Sequence, residues 1–236
     1  MKVLVILQAR LSSKRYPKKV FHELWNKKLI EAIIDRQSAT LCNNYLRVKG
    51  YEYEVNFMVA TSNENSDDEL VNVLIENDVI FYRGSLTNVL QRYVDSVKYF
   101  ENTFDKKVDI ICRVTADNIS PDYRFIADHI IWFIENNLDY GVSSEYLPEG
   151  LKCELFRKSH LFSAEKEASS DYEKEHVTPY IIKNFKNSFF RMKTVKEGPF
   201  LSLTLDTKED AFRIEQIIFE KKLSLMSNWQ NFLKNV

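Results

Sequence analysis

Short apolar runs alternate along this chain with longer stretches whose apolar residues recur every three or four positions. The runs are VLVIL at 3–7, VNFMVAT at 55–61, VIFY at 79–82 and VDIICRVT at 108–115. Each is too short and too β-branched to stand as a helix, so each reads as a strand. Between them, residues 28–42, 67–77, 86–100 and 122–136 carry the helical period. Near-continuous apolar strands in β-α-β-α order predict a mostly parallel sheet covered by helices on both faces. In such sheets ligands bind at the C-terminal ends of the strands.

Beyond Tyr140 the pattern loosens. A polar loop through Glu149 and Gly150 leads to a strand at 153–156, helices at 158–167 and 171–184, and strands near 189–195 and 201–205. A final helix is opened by Asp206 and Thr207. At 236 residues the chain can bury a full core, and a single α/β domain is expected. With 5 Gly and 5 Pro there is no low-complexity linker, and no internal repeat is visible.

Composition narrows the function classes. The 33 basic and 34 acidic side chains nearly cancel, which argues against nucleic acid or an anionic membrane as partner. No apolar run approaches the roughly 20 residues that span a bilayer, and the chain enters its first strand without a leader-like segment. The 3 cysteines, Cys42, Cys112 and Cys153, follow no metal or redox spacing. A cytoplasmic protein with buried thiols is expected.

Positive charge is therefore local. Directly after the first strand, Arg10, Lys14, Arg15, Lys18 and Lys19 fall within ten residues, a natural seat for a triphosphate at a strand end. A solvated basic loop is the alternative, and no Walker-type GxxxxGK[ST] pattern follows the strand. Two acids close other strands: Asp117 in VTADN and Asp206 in LTLDTKED. Either fits a magnesium site, since magnesium on a nucleoside triphosphate needs only one or two carboxylates. Either also fits a cap: Asp117 or Asn118 on a turn, and Asp206 on the last helix with Glu209 three residues on. In YRGSLTNVLQRY at 82–93, Gly84 and Ser85 form a turn, with Arg83 and Arg92 bracketing the next helix; a base pocket and a plain β-to-α turn are both open. In DYEKEHVTPYI, Glu175 and His176 invite a catalytic reading, but no ligand spacing accompanies them, and a buried structural histidine is the default.

These stretches, in this order, resemble the cytidylyltransferases of the spore coat polysaccharide biosynthesis type, relatives of the synthetases of CMP-3-deoxy-manno-octulosonate and CMP-sialic acids. QARLSSKRYPKKV resembles QARxxSxRLPGKV, YRGSLTNVLQRY resembles FRGSxxDVLxRY, and RVTADN resembles RxTGDC. EKEHVTPYI and LTLDTKED resemble EREHVTPYI and LTVDTPED, so the match covers nearly the whole chain. The resemblance implies a single Rossmann-like domain of the nucleotide-diphospho-sugar transferase type. Its nucleotide-binding half would occupy about 1–120, an acceptor and dimerisation part about 121–200, and the metal-acid strand and last helix about 201–236. It further implies transfer of CMP from CTP to an anionic small-molecule acceptor with release of pyrophosphate, for surface polysaccharide or related biosynthesis. By the same match Arg10, Arg15 and Lys19 grip the triphosphate, and Asp117 and Asp206 hold magnesium. Arg10, Arg15, Lys19 and Asp117 would carry catalysis, with Gln8, Ala9, Ser13, Arg83, Gly84, Ser85 and Thr115 completing the nucleotide site. A homodimer is expected as well.

Departures from the pattern are specific. Lys18 stands where the family has the Gly of PGK, Ala116 replaces a Gly, and Asn118, Ile119 and Ser120 replace Cys-Pro-Leu. Asn88 replaces an Asp, and Lys152 stands where an Asp is frequent, a position that suits an acidic acceptor. Two alternatives accompany the leading reading: a same-fold enzyme using another nucleoside triphosphate, and a non-catalytic binding descendant.

Overall fold

The computed structural model describes residues 1–143, 147–190 and 202–233. The chain begins with β1 (Lys2–Gln8), a small hairpin of β2 (Glu23–Leu24) and β3 (Lys27–Lys28), and two helices, α1 (Leu29–Arg36) and α2 (Ala39–Val48). It continues through β4 (Glu54–Ser62), α3 (Asp68–Glu76), β5 (Phe81–Gly84), α4 (Val89–Phe104), β6 (Ile110–Thr115) and α5 (Tyr123–Glu135). Then follow β7 (Tyr140–Ser143), β8 (Glu154–Arg157), α6 (Lys158–Glu167), α7 (Asp171–His176), α8 (Pro179–Asn184), β9 (Asn187–Phe190), α9 (Lys208–Glu220) and α10 (Gln230–Leu233).

Seven strands form one sheet in the order β5-β4-β1-β6-β8-β7-β9. β1 pairs in parallel with β4 and β6, and only β8 runs antiparallel to its neighbours. Strand alternation divides the core. Val3, Val5 and Leu7 pack on one face with α1, α2, α3, α5 and α9, while Leu4 and Ile6 pack on the other with α4, α6 and α8. The chain leaves β1 toward β4 and β5 and returns to β6 on its other side, so the order reverses beside β1. Register pairs Gln8 with Ala60 and Thr115, which opens a crevice where the three strands end.

Several sequence expectations are corrected. The apolar period at 28–42 covers two helices, because Ser38 caps a new one, its hydroxyl accepting from the Leu41 N–H. The stretch 171–184 breaks at Val177, whose φ of 70° cannot continue a helix, and Pro179 starts the next. Near 201–205 there is no strand among the described residues, only an isolated bridge between Thr204 and Asn118. The strand expected at 189–195 is β9, which begins earlier, and its continuation past Phe190 lies outside the described residues. Of the aromatic residues at 156–190, Phe156 and Phe190 complete the core, whereas Phe189 is exposed. All three cysteines are buried. No helix among the described residues is long and apolar enough to cross a membrane.

A buried histidine makes stability pH-dependent. His129, fully enclosed in α5, donates from Nδ1 to the Phe125 carbonyl at 2.9 Å, leaving Nε2 to accept from the Ser143 hydroxyl at 3.1 Å. Burial lowers its pKa to about 3. Its folded pKa lies below its unfolded value, so the unfolded chain binds the proton first on acidification. The stabilisation is complete above about pH 6.5 and drains as pH falls toward 3, reaching about 2 kcal/mol lost at pH 5. Melting temperature should therefore fall by roughly 4–8 °C more between pH 7 and pH 5 in the wild type than in His129→Gln. Equal slopes would refute this role.

Candidate active site

The cation-rich loop leaves β1 and is tied down by a buried carboxylate. Asp67, preceding α3, accepts from the Leu11 N–H at 2.7 Å, the Ser62 N–H at 3.1 Å and the Thr61 hydroxyl at 3.1 Å. Leu11 in turn anchors the far side of the loop, its carbonyl accepting from the Lys18 N–H at 3.0 Å. Sequence reasoning passed over Asp67; it lies in an ordinary helix-opening pair with Asp68, and only tertiary contact marks it.

The loop's last cation meets both acids. Lys19 Nζ donates to Asp206 at 2.7 Å and to Asp117 at 3.2 Å, and Arg15 pairs with Asp206 at 2.9 Å. Thr115 donates its hydroxyl to the other Asp117 oxygen at 2.6 Å, fixing the carboxylate's orientation. Residues 117–118 and 204–205 are brought together by the Asn118–Thr204 bridge and by the Leu205 N–H donating to the Asp117 carbonyl at 2.9 Å. Asp206 is not the helix cap. That role falls to Thr207, whose hydroxyl accepts from the Asp210 N–H at 3.1 Å while Asp210 accepts from the Asp206 and Thr207 amides. Shifting the cap by one residue leaves the Asp206 carboxylate directed at Lys19.

Lys18 takes a left-handed conformation that favours glycine, with φ 57° and ψ 25°. A side chain in this left-handed region costs about 1–2 kcal/mol, and the Lys18–Glu69 pair, more than half exposed on both sides, returns little. Lys18→Gly should therefore raise the melting temperature by roughly 2–4 °C. A lower melting temperature in a thermal scan would show that the ion pair outweighs the backbone strain. Ala116, by contrast, has no positive φ, so no glycine is required there.

Beneath the loop, a polar network crosses the sheet. Arg113 on β6 pairs with Glu154 on β8 and donates to Gln8 Oε1 at 3.2 Å. Glu154 also accepts from the Tyr140 hydroxyl at 2.7 Å and the Thr178 hydroxyl at 2.8 Å. Burial by itself would raise the Glu154 carboxyl, but the Arg113 charge and the two hydroxyls outweigh it and hold it below the usual carboxylate range.

These elements enclose a cavity of about 850 Å³ at the strand ends. Gln8, Ala9, Arg10, Ser13, Arg15, Lys19, Thr115, Asp117 and Asp206 all line it. Lys14 lines it too, rather than standing in solvent alone. Arg83, Gly84 and Ser85 do not. Arg83 turns away to the Ser62 and Glu64 carbonyls and to Asp68. A Cβ on Gly84 would lie 2.9 Å from Arg92 Cγ, so its missing side chain makes room for buried Arg92, which donates to the Ser85 carbonyl at 2.6 Å. Leu86, Thr87 and Asn88 take the wall instead, and Asn88 caps α4 by accepting from the Gln91 N–H. Ser12, Val20, Ala116, Asp171, Lys174 and Glu175 complete the lining. His176 is exposed and packs on Tyr172 rather than being buried, and Lys152 is exposed and off the cavity.

The two acids suit a hard cation. Both carboxylates already share one ammonium, their oxygens are the donor type magnesium takes, and phosphate oxygens would supply further ligands. Among the described residues there is no group of three or more metal-binding His, Cys, Asp or Glu side chains.

The chain is similar to known proteins along nearly its whole length. The chain is 30% identical over 213 residues to the uncharacterized protein MJ1063 of Methanocaldococcus jannaschii, spanning 89% of this chain and 80% of that protein. It is 29% identical over 219 residues to the spore coat polysaccharide biosynthesis protein SpsF of Bacillus subtilis, spanning 88% and 82%. The solved structure of a cytidylyltransferase from Leptospira borgpetersenii superimposes with a TM-score of 0.82 at 25% identity, covering 99% of this chain and 93% of that one. A sequence profile described as cytidylyltransferase matches residues 4–229. With that match running from β1 to the segment after α9, the chain belongs to the cytidylyltransferase family.

Proposed function

We propose that this protein transfers CMP from CTP to an anionic small-molecule acceptor and releases pyrophosphate, serving surface-polysaccharide or related synthesis. One observation carries the reading: Lys19 joins Asp117 and Asp206 in a single cluster beside Arg15, in the wall of a cavity at the switch point of the sheet. Four cations, Arg10, Lys14, Arg15 and Lys19, face a space large enough for a nucleotide and a small acceptor. The spore-coat polysaccharide relative supports the biosynthetic setting.

In this reading Arg10, Lys14 and Arg15 bind the β- and γ-phosphates, the forked guanidiniums taking two oxygens each. Asp117 and Asp206 would hold magnesium, which would neutralise charge on the triphosphate. Lys19, which lies between the two acids, would set its ammonium charge beside the α-phosphate. The acceptor oxygen forms a bond to the α-phosphorus as the bond to the bridging oxygen breaks, and pyrophosphate departs with that electron pair. A proton on an acceptor hydroxyl passes to solvent. No covalent nucleophile is needed, because positioning and charge neutralisation do most of the work in such transfers.

Calorimetry with the four ribonucleoside triphosphates in the presence of magnesium tests the nucleotide. CTP should bind at least about tenfold more tightly than UTP, a difference of roughly 1.4 kcal/mol. Preference for another nucleotide would move the protein to a different activity on the same fold, and absence of binding would remove the proposal.

A further inference from the structure

Helix α7 is out of keeping with the rest of the fold. It has six residues, buries none of them, and is too short to persist unaided. Both of its ends are nonetheless fixed. At the start, Ser170 and Glu173 form a reciprocal capping box. At the exit, Val177 takes φ 70° and ψ −53°, and the Thr178 N–H donates to the His176 carbonyl at 2.8 Å. This is the strained form of γ-turn, on a fully buried β-branched residue, where the cost is of order 1–3 kcal/mol. Immediately after it, Thr178 is latched to Glu154, and through Arg113 to Gln8 on the cavity floor.

What this arrangement positions is one face of α7. Asp171, Lys174 and Glu175 recur at i, i+3 and i+4 and all line the cavity, while Tyr172 and His176 pack on each other. None of the three cavity-lining side chains makes an ion pair or side-chain hydrogen bond among the described residues. The remaining cations of the cavity belong to the β1 loop, so α7 brings a separate set of donors and acceptors to the same space.

We infer that this face of α7 is the acceptor subsite, with Lys174 binding the acceptor's carboxylate or phosphate and Asp171 and Glu175 accepting hydrogen bonds from its hydroxyl groups. The inference rests on the cytidylyltransferase reading of the cavity and adds to it the residues that choose the acceptor. A polyhydroxylated acid satisfies all three side chains at once. An uncharged sugar leaves the ammonium without an anion, and a bare anion leaves both carboxylates without donors.

The test measures pyrophosphate release from CTP and magnesium with 3-deoxy-manno-octulosonate, N-acetylneuraminate and glucose 6-phosphate as acidic probes and glucose as the uncharged one. CTP affinity is measured in parallel by calorimetry. Turnover is expected with at least one acidic probe and not with glucose. For that probe, Lys174→Gln should raise KM about tenfold or more, as loss of a charge-assisted hydrogen bond does. Lys174→Arg should recover most of the loss, and CTP affinity should stay within about twofold in both variants. Three results overturn the subsite while leaving the nucleotide reading standing: an unmoved KM in Lys174→Gln, turnover with glucose, or CTP binding without turnover on any acidic probe. Failure to bind CTP overturns both.

Discussion

Asp117→Asn is expected to keep the fold and lose turnover by about a thousandfold or more, the scale seen when a group that stabilises transition-state charge is removed. The carboxylate shares Lys19 with Asp206 and is oriented by the Thr115 hydroxyl, so the amide would preserve shape while removing the charge that draws a cation to this corner. Asp206→Asn should behave alike, and the double variant should be little worse than either single, because residues acting as one unit do not add. Steady-state pyrophosphate release, with circular dichroism to confirm folding, checks this. A drop of less than about tenfold in both single variants would remove the two acids from the chemistry.

The largest stability effect is expected at the floor network. Glu154→Leu would strand the Arg113 guanidinium and the Tyr140 and Thr178 hydroxyls in a nearly enclosed space, where Glu154 is 15% and Arg113 16% exposed. Breaking a buried pair from one side costs roughly 3 kcal/mol or more, so the melting temperature should fall by about 6–12 °C. Removing both charges in Arg113→Met/Glu154→Leu should restore much of that loss, since the stranded charge is the main penalty. A double variant as unstable as the sum of the singles would mean that each side chain acts separately.

Much of the architecture was legible because local pattern and global fold agree. β-branched runs such as VLVIL can be buried on both sides only in a sheet with helices on both faces, and the helical periods between them leave few other arrangements. The position of the cation loop was legible too: it follows β1, and Arg10, Lys14, Arg15 and Lys19 line the cavity at the strand ends. What stayed hidden depended on contacts between distant segments. The meeting of Asp117 with Asp206 rests on a bridge between Asn118 and Thr204, across more than eighty residues. Helix α7 looked continuous with α8 because Val177 fits the apolar period; Pro179 marks the start of the second helix, and the positive φ of Val177 makes the break. Gly84 signalled open backbone, yet the space is filled by Arg92. At Lys18 the backbone takes the left-handed conformation that favours glycine, which the lysine in the sequence gives no sign of.

CTP labelled at the α-phosphorus, incubated with the protein, magnesium and the acidic acceptor probes, follows the transferred group itself. Label should appear in a new product that contains both CMP and acceptor, with unlabelled pyrophosphate formed in equal amount. Label remaining in CTP, or appearing only as free CMP, would contradict cytidylyl transfer in this cavity.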